Sequence, residues 1–307
     1  MPKLTSQQLK EHNQRLALKA IYSGQATSRA AIAQETDLTR PTVSQMVAEL
    51  LELGLVREEG PGESSGGKPP TLLSFSDEAH QIIALHLGGR QTFGAVTDLR
   101  GRILDRVSVP TDHSSDESVL EGLLVVLDKL RDLATRPLLG VGVSTPGMVD
   151  HRTGVVRYST HLKWHELPLS DKLSARYDDG VPIYVDNDAN LAALGERVFG
   201  VGGGVDNMVM VMVGTLGIGA GLIVNGDIFP GAAGGAGEIG HMPIVDNGAP
   251  CMCGRYGCLE AVASVWALMR RAAKIGISHP DSKLRVVKPD DVDIDDLREA
   301  VEAGDPG

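Results

Sequence analysis

Four side chains that commonly bind transition metals lie close together in the last quarter of the sequence. The three cysteines of the chain, Cys251, Cys253 and Cys258, fall within eight residues, and His241 precedes them by ten. Three thiolates and one imidazole are a ligand set typical of closed, tetrahedral structural zinc sites. An odd number of cysteines in one short segment does not favour a disulfide framework. We therefore predict a zinc ion bound by these four residues, with three reduced thiols or a redox switch as the alternatives.

A second group of polar residues follows a short apolar segment in the middle of the chain. Val181–Val185 is typical of a buried strand, and it leads directly into Asp186–Asn190. Ligands of α/β proteins bind at the carboxyl ends of the strands. The polar segment Asp186–Asn190 is therefore placed where a ligand of such a protein would bind.

Glycine is concentrated just after this segment. Of the 37 glycines, 14 lie between residues 200 and 240, and Met208–Val213 reads as a strand that leads into the glycine-rich segment Gly214–Gly221. Glycine allows the backbone to approach a phosphate closely, and it equally allows a tight hairpin between two apolar strands. Both interpretations stay open on periodicity alone.

The elements that position these residues follow an α/β pattern. Strands and tight turns are followed by a helix and then by further strands, which is typical of an α/β fold. The predicted elements are strands at 82–87, 93–97, 103–110 and 139–143, and a helix at about 115–134.

The first 75 residues have a different organisation. Apolar spacing predicts a helix at about 4–22, and Ser28 is placed to cap a short second helix. Thr39 is placed to cap a third helix, with Pro41 tolerated in its first turn because amide donors are free there. Two helices joined by a short turn, followed by strands at 55–59 and 70–73, predict a winged helix-turn-helix.

The start of the third helix carries residue types suited to DNA. Short polar groups and long donors read base edges and phosphates from the first turn of a recognition helix. A cation at the tip of the wing suits a minor groove or a phosphate. The candidate DNA-binding residues are Thr39, Arg40, Thr42, Ser44, Gln45 and Lys68. The alternative is a three-helix bundle that only dimerises.

Charge and composition exclude several classes of protein. The net charge is -11, yet residues 1–75 contain eight basic and eight acidic residues, so the remaining 232 residues carry the whole acidic excess. Aromatic residues make up 4% of the chain, which disfavours base stacking on an aromatic platform. The sequence contains no apolar run near the ~18 residues of a membrane span and no signal-peptide pattern. We expect a cytoplasmic protein that does not contact membranes.

Six segments of the chain together resemble the ROK family, whose repressors and sugar kinases share an actin-like ATPase fold. They are the winged head, Gly140–Gly147, Asp186–Asn190, Gly214–Gly221, Gly237–His241, and the cysteine segment 251–258 with Leu259 and Glu260. The resemblance covers nearly the whole chain. It implies a winged helix-turn-helix domain at 1–75 and a sugar-kinase-like domain at 76–307, with lobes at about 76–195 and 196–307.

The resemblance also implies roles for particular residues. The implied sugar-binding residues are Asn187, Asp188, Glu238, His241 and Glu260. In the kinases of the family, Asp188 would be the catalytic base that removes the proton of the sugar hydroxyl. His241 suits two roles, since one ring nitrogen can bind zinc while the other faces a sugar hydroxyl. For Glu260, the alternative is an acid that stabilises the first turn of a helix.

Two departures from the family pattern weaken the case for a kinase. The first phosphate loop of the family reads Asp-x-Gly-Gly-Thr, whereas this chain has His86 in place of the acid and Arg90 in place of the hydroxyl. Positioning and metal electrostatics supply most of phosphoryl-transfer catalysis. The chain also stops before the closing helices of the family. We therefore expect an α/β domain that is incomplete at its C-terminal end and a nucleotide site that is unsuited to ATP and magnesium.

These observations predict a sugar-responsive transcriptional regulator, specifically a repressor of carbohydrate-utilisation genes. A homodimer or homotetramer would bind a palindromic double-stranded operator, and a sugar or sugar phosphate would act as effector. One alternative is an ATP-dependent hexose kinase with an appended head. Another is a zinc-stabilised DNA-binding protein without a ligand response.

Overall fold

A computed structural model of the chain describes residues 5–63, 69–214, 217–279, 281–286 and 294–305. Lys68 lies outside these residues. The chain divides into two compact units, each of which is described by itself. The first contains Met1–Ile82, Val96–Asp105 and Leu133–Leu139, and the second contains Ile83–Ala95, Arg106–Asp132 and Gly140–Gly307. The predicted domain boundary after residue 75 and the predicted lobe boundary after residue 195 remain predictions.

The first unit begins with the three predicted helices, α1 (Ser6–Tyr22), α2 (Arg29–Thr36) and α3 (Arg40–Glu52). Each helix starts at a hydroxyl residue whose side chain accepts a hydrogen bond from a backbone amide of the first turn, namely Thr5, Ser28 and Thr39. Such caps satisfy amide donors that the helix itself leaves free. The residue that ends α2, Asp37, has a φ of 56°, and this left-handed conformation turns the chain into α3.

The wing follows as an antiparallel pair, β1 (Val56–Pro61) and β2 (Thr71–Phe75), with Val56 opposite Phe75. Ile32, Val43 and Leu50 are at most 1% exposed in the core beneath the helices. Burial of a side chain of this size contributes about 1.5–3 kcal/mol. The predicted winged helix-turn-helix is therefore present and has its own apolar core.

Arg100 also belongs to the first unit. Its guanidinium lies 4.1 Å from the centroid of the Tyr22 ring, and it donates hydrogen bonds to the Tyr22 carbonyl oxygen and to Asp77 Oδ1. The neighbouring Leu99 is buried in the same core as Ile32. The segment 96–105 is thus fixed to the end of α1 by packing, stacking and an ion pair.

The predicted α/β pattern is also present. A five-stranded sheet consists of β3 (Gln81–Leu87), β4 (Gln91–Thr97), β5 (Ile103–Pro110), β6 (Leu138–Thr145) and β10 (Ile183–Asn187). The strands lie in the order β10–β6–β3–β4–β5, and β10 pairs with β6 in parallel, with Val185 opposite Val143. Helix α4 (Asp116–Leu133) buries one apolar stripe that includes Leu123, Leu127 and Leu130.

A small antiparallel sheet lies in a part of the chain for which the sequence analysis predicted no elements. It consists of β7 (Met148–Asp150), β8 (Val155–Ser159) and β9 (Trp164–Pro168), and the short helix α5 (Leu169–Ser174) follows. Trp164 is 1% exposed and anchors the start of β9. The connection from β8 to β9 carries Thr160 and His161.

The glycine-rich segment is largely part of a hairpin. Strands β11 (Met208–Val213), β12 (Ile218–Val224) and β13 (Asp227–Ile228) form an antiparallel sheet next to α6 (Asp188–Phe199). A Cβ atom at Gly221 would lie 2.2 Å from the Ala189 carbonyl oxygen and 2.5 Å from Ala193 Cβ. Glycine is therefore needed at this position because β12 and α6 approach each other closely.

The remaining described helices are α7 (Leu259–Ala263), α8 (Val265–Ser278) and α9 (Ile294–Glu302). Met269, Ala273, Leu284 and Ala300 form a small apolar cluster among them. None of the described helices is long and apolar enough to cross a bilayer.

Candidate functional site

A cavity of about 480 Å³ in the second unit brings all five predicted sugar-binding residues together. A cavity of this size is typical of a small-molecule site. Three carboxylates and three imidazoles line it, together with glycines from the hairpin between β11 and β12. The titratable residues among them are His86, His161, Asp188, Glu238, His241 and Glu260.

Asp188 is the first residue of α6, directly after β10. Its Oδ1 accepts a hydrogen bond from Ala189 N at 2.9 Å. Burial raises the pKa of Asp188 to about 6, and the negative charge of Glu238 adds to the rise while the Ala189 amide opposes it. A carboxylate with a pKa near neutrality can accept a proton, so the group is suited to hydrogen bonding with a sugar hydroxyl.

Asn187 lines the cavity, but its side chain is occupied by the protein itself. Its Nδ2 donates to the Gly147 carbonyl oxygen at 2.9 Å, and its Oδ1 accepts from the backbone amides of Ala189 and Asn190. This residue caps α6 and joins it to the loop after β6. One amide hydrogen is left for a ligand, so the structure gives Asn187 mainly a scaffolding role.

Glu238 precedes a short 3-10 turn, Ile239–His241, and His241 is the last residue of this turn. A Cβ atom at Gly237, whose φ is 89°, would lie 1.8 Å from the Ala220 carbonyl oxygen. Glycine thus allows this segment to run against β12. His241 Nε2 lies 3.7 Å from Glu238 Oε2 in the cavity, and burial raises the pKa of Glu238 above its ordinary value.

The four predicted metal ligands are brought together beside the cavity. One ligand atom from each of His241, Cys251, Cys253 and Cys258 lies within 4.8 Å of the others. His241 Nδ1 is 3.6 Å from Cys251 Sγ, and Cys253 Sγ is 3.8 Å from Cys258 Sγ. For bonds of the lengths found around zinc, the edges of a tetrahedron are about 3.5 Å. The donor set and its spacing therefore fit a tetrahedral metal ion.

Metal binding by this cluster requires the loss of thiol protons. Burial raises the pKa of the Cys251 thiol to about 12. A thiol binds a metal as the thiolate, so binding releases the proton and compensates the charge. His241 spans the cluster and the cavity, with Nδ1 toward the sulfur and Nε2 toward Glu238.

Glu260 lies in the first turn of α7, directly after the last cysteine of the cluster. Its Oε1 is 3.9 Å from Cys251 Sγ, and its Oε2 is 3.8 Å from His161 Nε2. Burial opposes ionisation of Glu260, but the adjacent His161 and His241 outweigh it and hold the pKa of this carboxyl below its ordinary value. Glu260 therefore lies in the first turn of a helix and also lines the cavity, so the two positions considered for it from the sequence are compatible.

His161 and Thr160 are cavity residues that the sequence reasoning missed. They belong to the connection between β8 and β9, in the stretch where no elements were assigned. A histidine two residues before a lysine and three before a tryptophan carries no motif. The available signal was indirect: an isolated tryptophan, Trp164, in a polar stretch that would have to be anchored in a core.

The loop after β3 also lines the cavity. His86 Nδ1 lies 3.0 Å from Ser144 Oγ, and burial lowers the pKa of His86. The Gly88 and Gly89 carbonyl oxygens accept from Thr111 Oγ1 and His113 Nε2. Arg90 is exposed and lines the cavity. The segment 86–93 contributes no carboxylate, so it supplies no ligand of the kind that magnesium prefers.

The predicted DNA-binding residues lie in the first unit, on or next to α3. Arg40 and Ser44 are exposed, whereas Thr39 and Thr42 hydrogen-bond to each other within the cap. Gln45 is also exposed, and its amide donates to Glu49. A basic and a hydroxyl side chain are thus free to meet a groove.

Two protein-family models match different parts of the chain. The model of the ROK family matches residues 82–307, and the model of the MarR family matches residues 8–64. The chain is 35% identical over 271 residues to the xylose repressor of Caldicellulosiruptor bescii, which covers 87% of this chain and 67% of that repressor. The chain spans about two thirds of the length of the curated repressors that it matches.

Two solved structures are similar to the whole chain or to its larger part. A ROK family transcriptional regulator, a homologue of the E. coli MLC protein, is 28% identical with a TM-score of 0.81, covering 97% of this chain and 75% of that one. A ROK family glucokinase from Streptomyces griseus, in complex with glucose and AMPPNP, is 32% identical with a TM-score of 0.67, covering 74% and 72%. The match to the regulator covers nearly the whole chain and therefore includes the head.

Proposed function

The chain belongs to the ROK family, and from this membership we propose that it is a sugar-responsive DNA-binding regulator that represses carbohydrate-utilisation genes. The observation that carries the proposal is a winged helix-turn-helix in the same chain as a cavity lined by Asp188, Glu238 and Glu260. The similarity to a xylose repressor over 87% of the chain supports it.

The head is proposed to bind double-stranded DNA through the first turn of α3. Arg40 and Ser44 are the exposed residues there, and Gln45 follows on the next turn. Arginine bonds to guanine edges or to phosphate, and hydroxyls bond to phosphate oxygens. Two heads in a homodimer or homotetramer would meet two half-sites, so the operator would be palindromic.

The cavity is proposed to bind the effector, a sugar or a sugar phosphate. Carboxylates accept hydrogen bonds from sugar hydroxyls, and imidazoles donate to sugar oxygens. Binding changes the affinity for DNA only if the sugar prefers one conformation of the protein over the other. We propose that the sugar-bound conformation is the one that releases the operator.

The cluster of three cysteines and His241 is proposed to hold a structural zinc ion. Its support is the spacing of the sulfur and nitrogen atoms beside the cavity. Zinc would fix His241 and the loop that ends at Glu260. The metal would then shape the sugar site without contacting the sugar.

A hexose kinase is the second candidate function, because Asp188 occupies the position of a catalytic base and has a raised pKa. His86 and Arg90 oppose it, since phosphoryl transfer depends on metal-held phosphates. A coupled assay of ADP release over a panel of hexoses separates the two functions. We expect no turnover above the level of the Asp188→Asn variant. Turnover that this substitution abolishes would contradict a purely regulatory role.

Calorimetry with the same sugars on zinc-loaded protein tests the sugar response itself. We expect at least one sugar to bind the wild type and to bind Glu238→Gln at least tenfold more weakly, because a hydrogen bond to a charged group contributes about 1.5–3 kcal/mol. Absence of binding by every sugar would favour a DNA-binding protein without a ligand response.

A further inference from the structure

The carboxylate side of the cavity has many hydrogen-bond acceptors and few donors. Asp188, Glu238 and Glu260 only accept while they are ionised. Asn187 has most of its side-chain hydrogen bonds inside the protein. A sugar hydroxyl both donates and accepts, so a site made of carboxylates alone leaves the lone pairs of the sugar oxygens unsatisfied.

His161 is held at this side of the cavity by buried neighbours on both sides. Ser159 and Leu162 are 0% and 4% exposed, and Trp164 is 1% exposed. Lys163 has a φ of 56°, which turns the chain between the two buried side chains that flank it. His161 therefore lies in a connection whose neighbouring side chains are buried.

Two histidine–glutamate pairs with almost the same spacing lie in the cavity. His241 Nε2 is 3.7 Å from Glu238 Oε2, and His161 Nε2 is 3.8 Å from Glu260 Oε2. These separations exceed a direct hydrogen bond. They do allow one hydroxyl oxygen to lie about 2.8 Å from both atoms, accepting from the imidazole and donating to the carboxylate.

The backbone of the hairpin between β11 and β12 lies close to the second pair, His161 and Glu260. A Cβ atom at Gly217 would lie 2.2 Å from Glu260 Oε2 and 3.4 Å from His161 Nε2. The pair thus lies against a position without a side chain, and His161, Glu260 and Gly217 all line the cavity.

We propose that His161 is a sugar-binding residue that, with Glu260, brackets one hydroxyl of an uncharged sugar ring, as His241 and Glu238 bracket another. This inference rests on the proposed sugar-responsive function and assigns a residue to it. The three carboxylates favour a ring whose nearest groups are hydroxyls over an anionic group at this side. With a proton on Nε2, the imidazole of His161 adds a second donor beside that of His241.

The test compares substitutions of similar size that keep or remove the donor. Calorimetry of the full-length, zinc-loaded protein with D-xylose, D-glucose and N-acetyl-D-glucosamine is run for wild type, His161→Gln and His161→Leu. His165→Ala is the matched control, because His165 is exposed on the adjacent strand β9 and does not line the cavity. Zinc content and thermal unfolding are measured for every variant.

For the sugar that binds the wild type most tightly, we expect a loss of affinity of at least tenfold in the leucine variant. The glutamine variant should remain within about threefold of the wild type, since it keeps an N–H donor. The control should bind as the wild type does, and all variants should retain zinc. Merely structural support by His161 would move the two substitutions together and lower the unfolding temperature.

Equal affinity of the wild type and the leucine variant would overturn the assignment of His161 and leave the sugar response intact. Equal losses in the leucine and glutamine variants would overturn the donor role. If the wild type binds none of the three sugars, the proposed sugar response fails, and the assignment fails with it.

Discussion

Removal of the charge at Asp188 is expected to stabilise the folded protein while it impairs function. The pKa of this carboxyl rises from 3.8 to about 6, with burial as the main cause. For an acid, a raised pKa in the folded state means that ionisation opposes folding. The penalty is absent below the unfolded pKa, grows as the pH rises from the unfolded to the folded pKa, and is complete above the folded pKa.

The size of this effect follows from the two pKa values. The difference corresponds to roughly 3 kcal/mol at pH 7.5 and to roughly 1.5 kcal/mol at pH 5. Asp188→Asn removes the titration but also weakens the hydrogen bond from Ala189 N, which contributes about 1 kcal/mol. We therefore expect Asp188→Asn to be more stable by about 2 kcal/mol at pH 7.5, and the gain to shrink by about 1.5 kcal/mol at pH 5.

Urea unfolding followed by tryptophan fluorescence measures this gain, since Trp164 is buried in the same unit. Both proteins are kept saturated with zinc at each pH, because metal binding to thiolates itself depends on pH. Asp227→Asn changes an exposed carboxylate and serves as the control. A variant no more stable than the wild type at pH 7.5, or a gain that does not shrink at pH 5, would refute the reasoning.

Three further predictions concern other parts of the molecule. Cys253→Ser should lose the metal, and metal analysis that finds full zinc occupancy would refute the proposed ligand set. Arg40→Ala should weaken operator binding and reduce the slope of log affinity against log salt by about 1; an unchanged affinity in fluorescence anisotropy would mean that α3 does not read the DNA. Gly221→Val should destabilise the second unit by more than about 2 kcal/mol, since its side chain would meet Ala189 and Ala193. If Gly221→Val and the wild type unfold at the same temperature, α6 can move away from β12 and the prediction is wrong.

Local sequence signals predicted the winged head well. The hydroxyl residues Ser28 and Thr39 gave the starts of α2 and α3 correctly. The reason is physical: a cap and a stripe depend on neighbours in the sequence.

The small sheet β7–β9 was not predictable in the same way. Its strands have three to five residues, and only scattered positions such as Val156 and Trp164 are buried. Short strands are fixed by partners across the sheet, which no local pattern records. His161 was missed for this reason, although the neighbouring carboxylates were identified.

The cluster of His241 and the three cysteines was predictable because cysteine is rare in this chain and all three cysteines lie in one short segment. The role of the glycine-rich segment was not predictable, since glycine occurs both in hairpins and in loops that contact ligands. In the structure, Gly221 packs against α6 within a strand, while Gly217 lines the cavity. The scaffolding role of Asn187 also required coordinates, because its partner Gly147 is 40 residues away in the sequence.

The central claim is that a sugar bound in the cavity changes the affinity of the head for DNA. The most direct measurement is fluorescence anisotropy of an operator fragment, recovered from genomic DNA by the protein itself, during titration with a sugar library and without ATP. We predict that at least one sugar lowers operator affinity by tenfold or more, within the 5–150-fold range usual for allosteric coupling, and that Glu238→Gln removes this response but not DNA binding. Operator affinity that no sugar changes would contradict the claim.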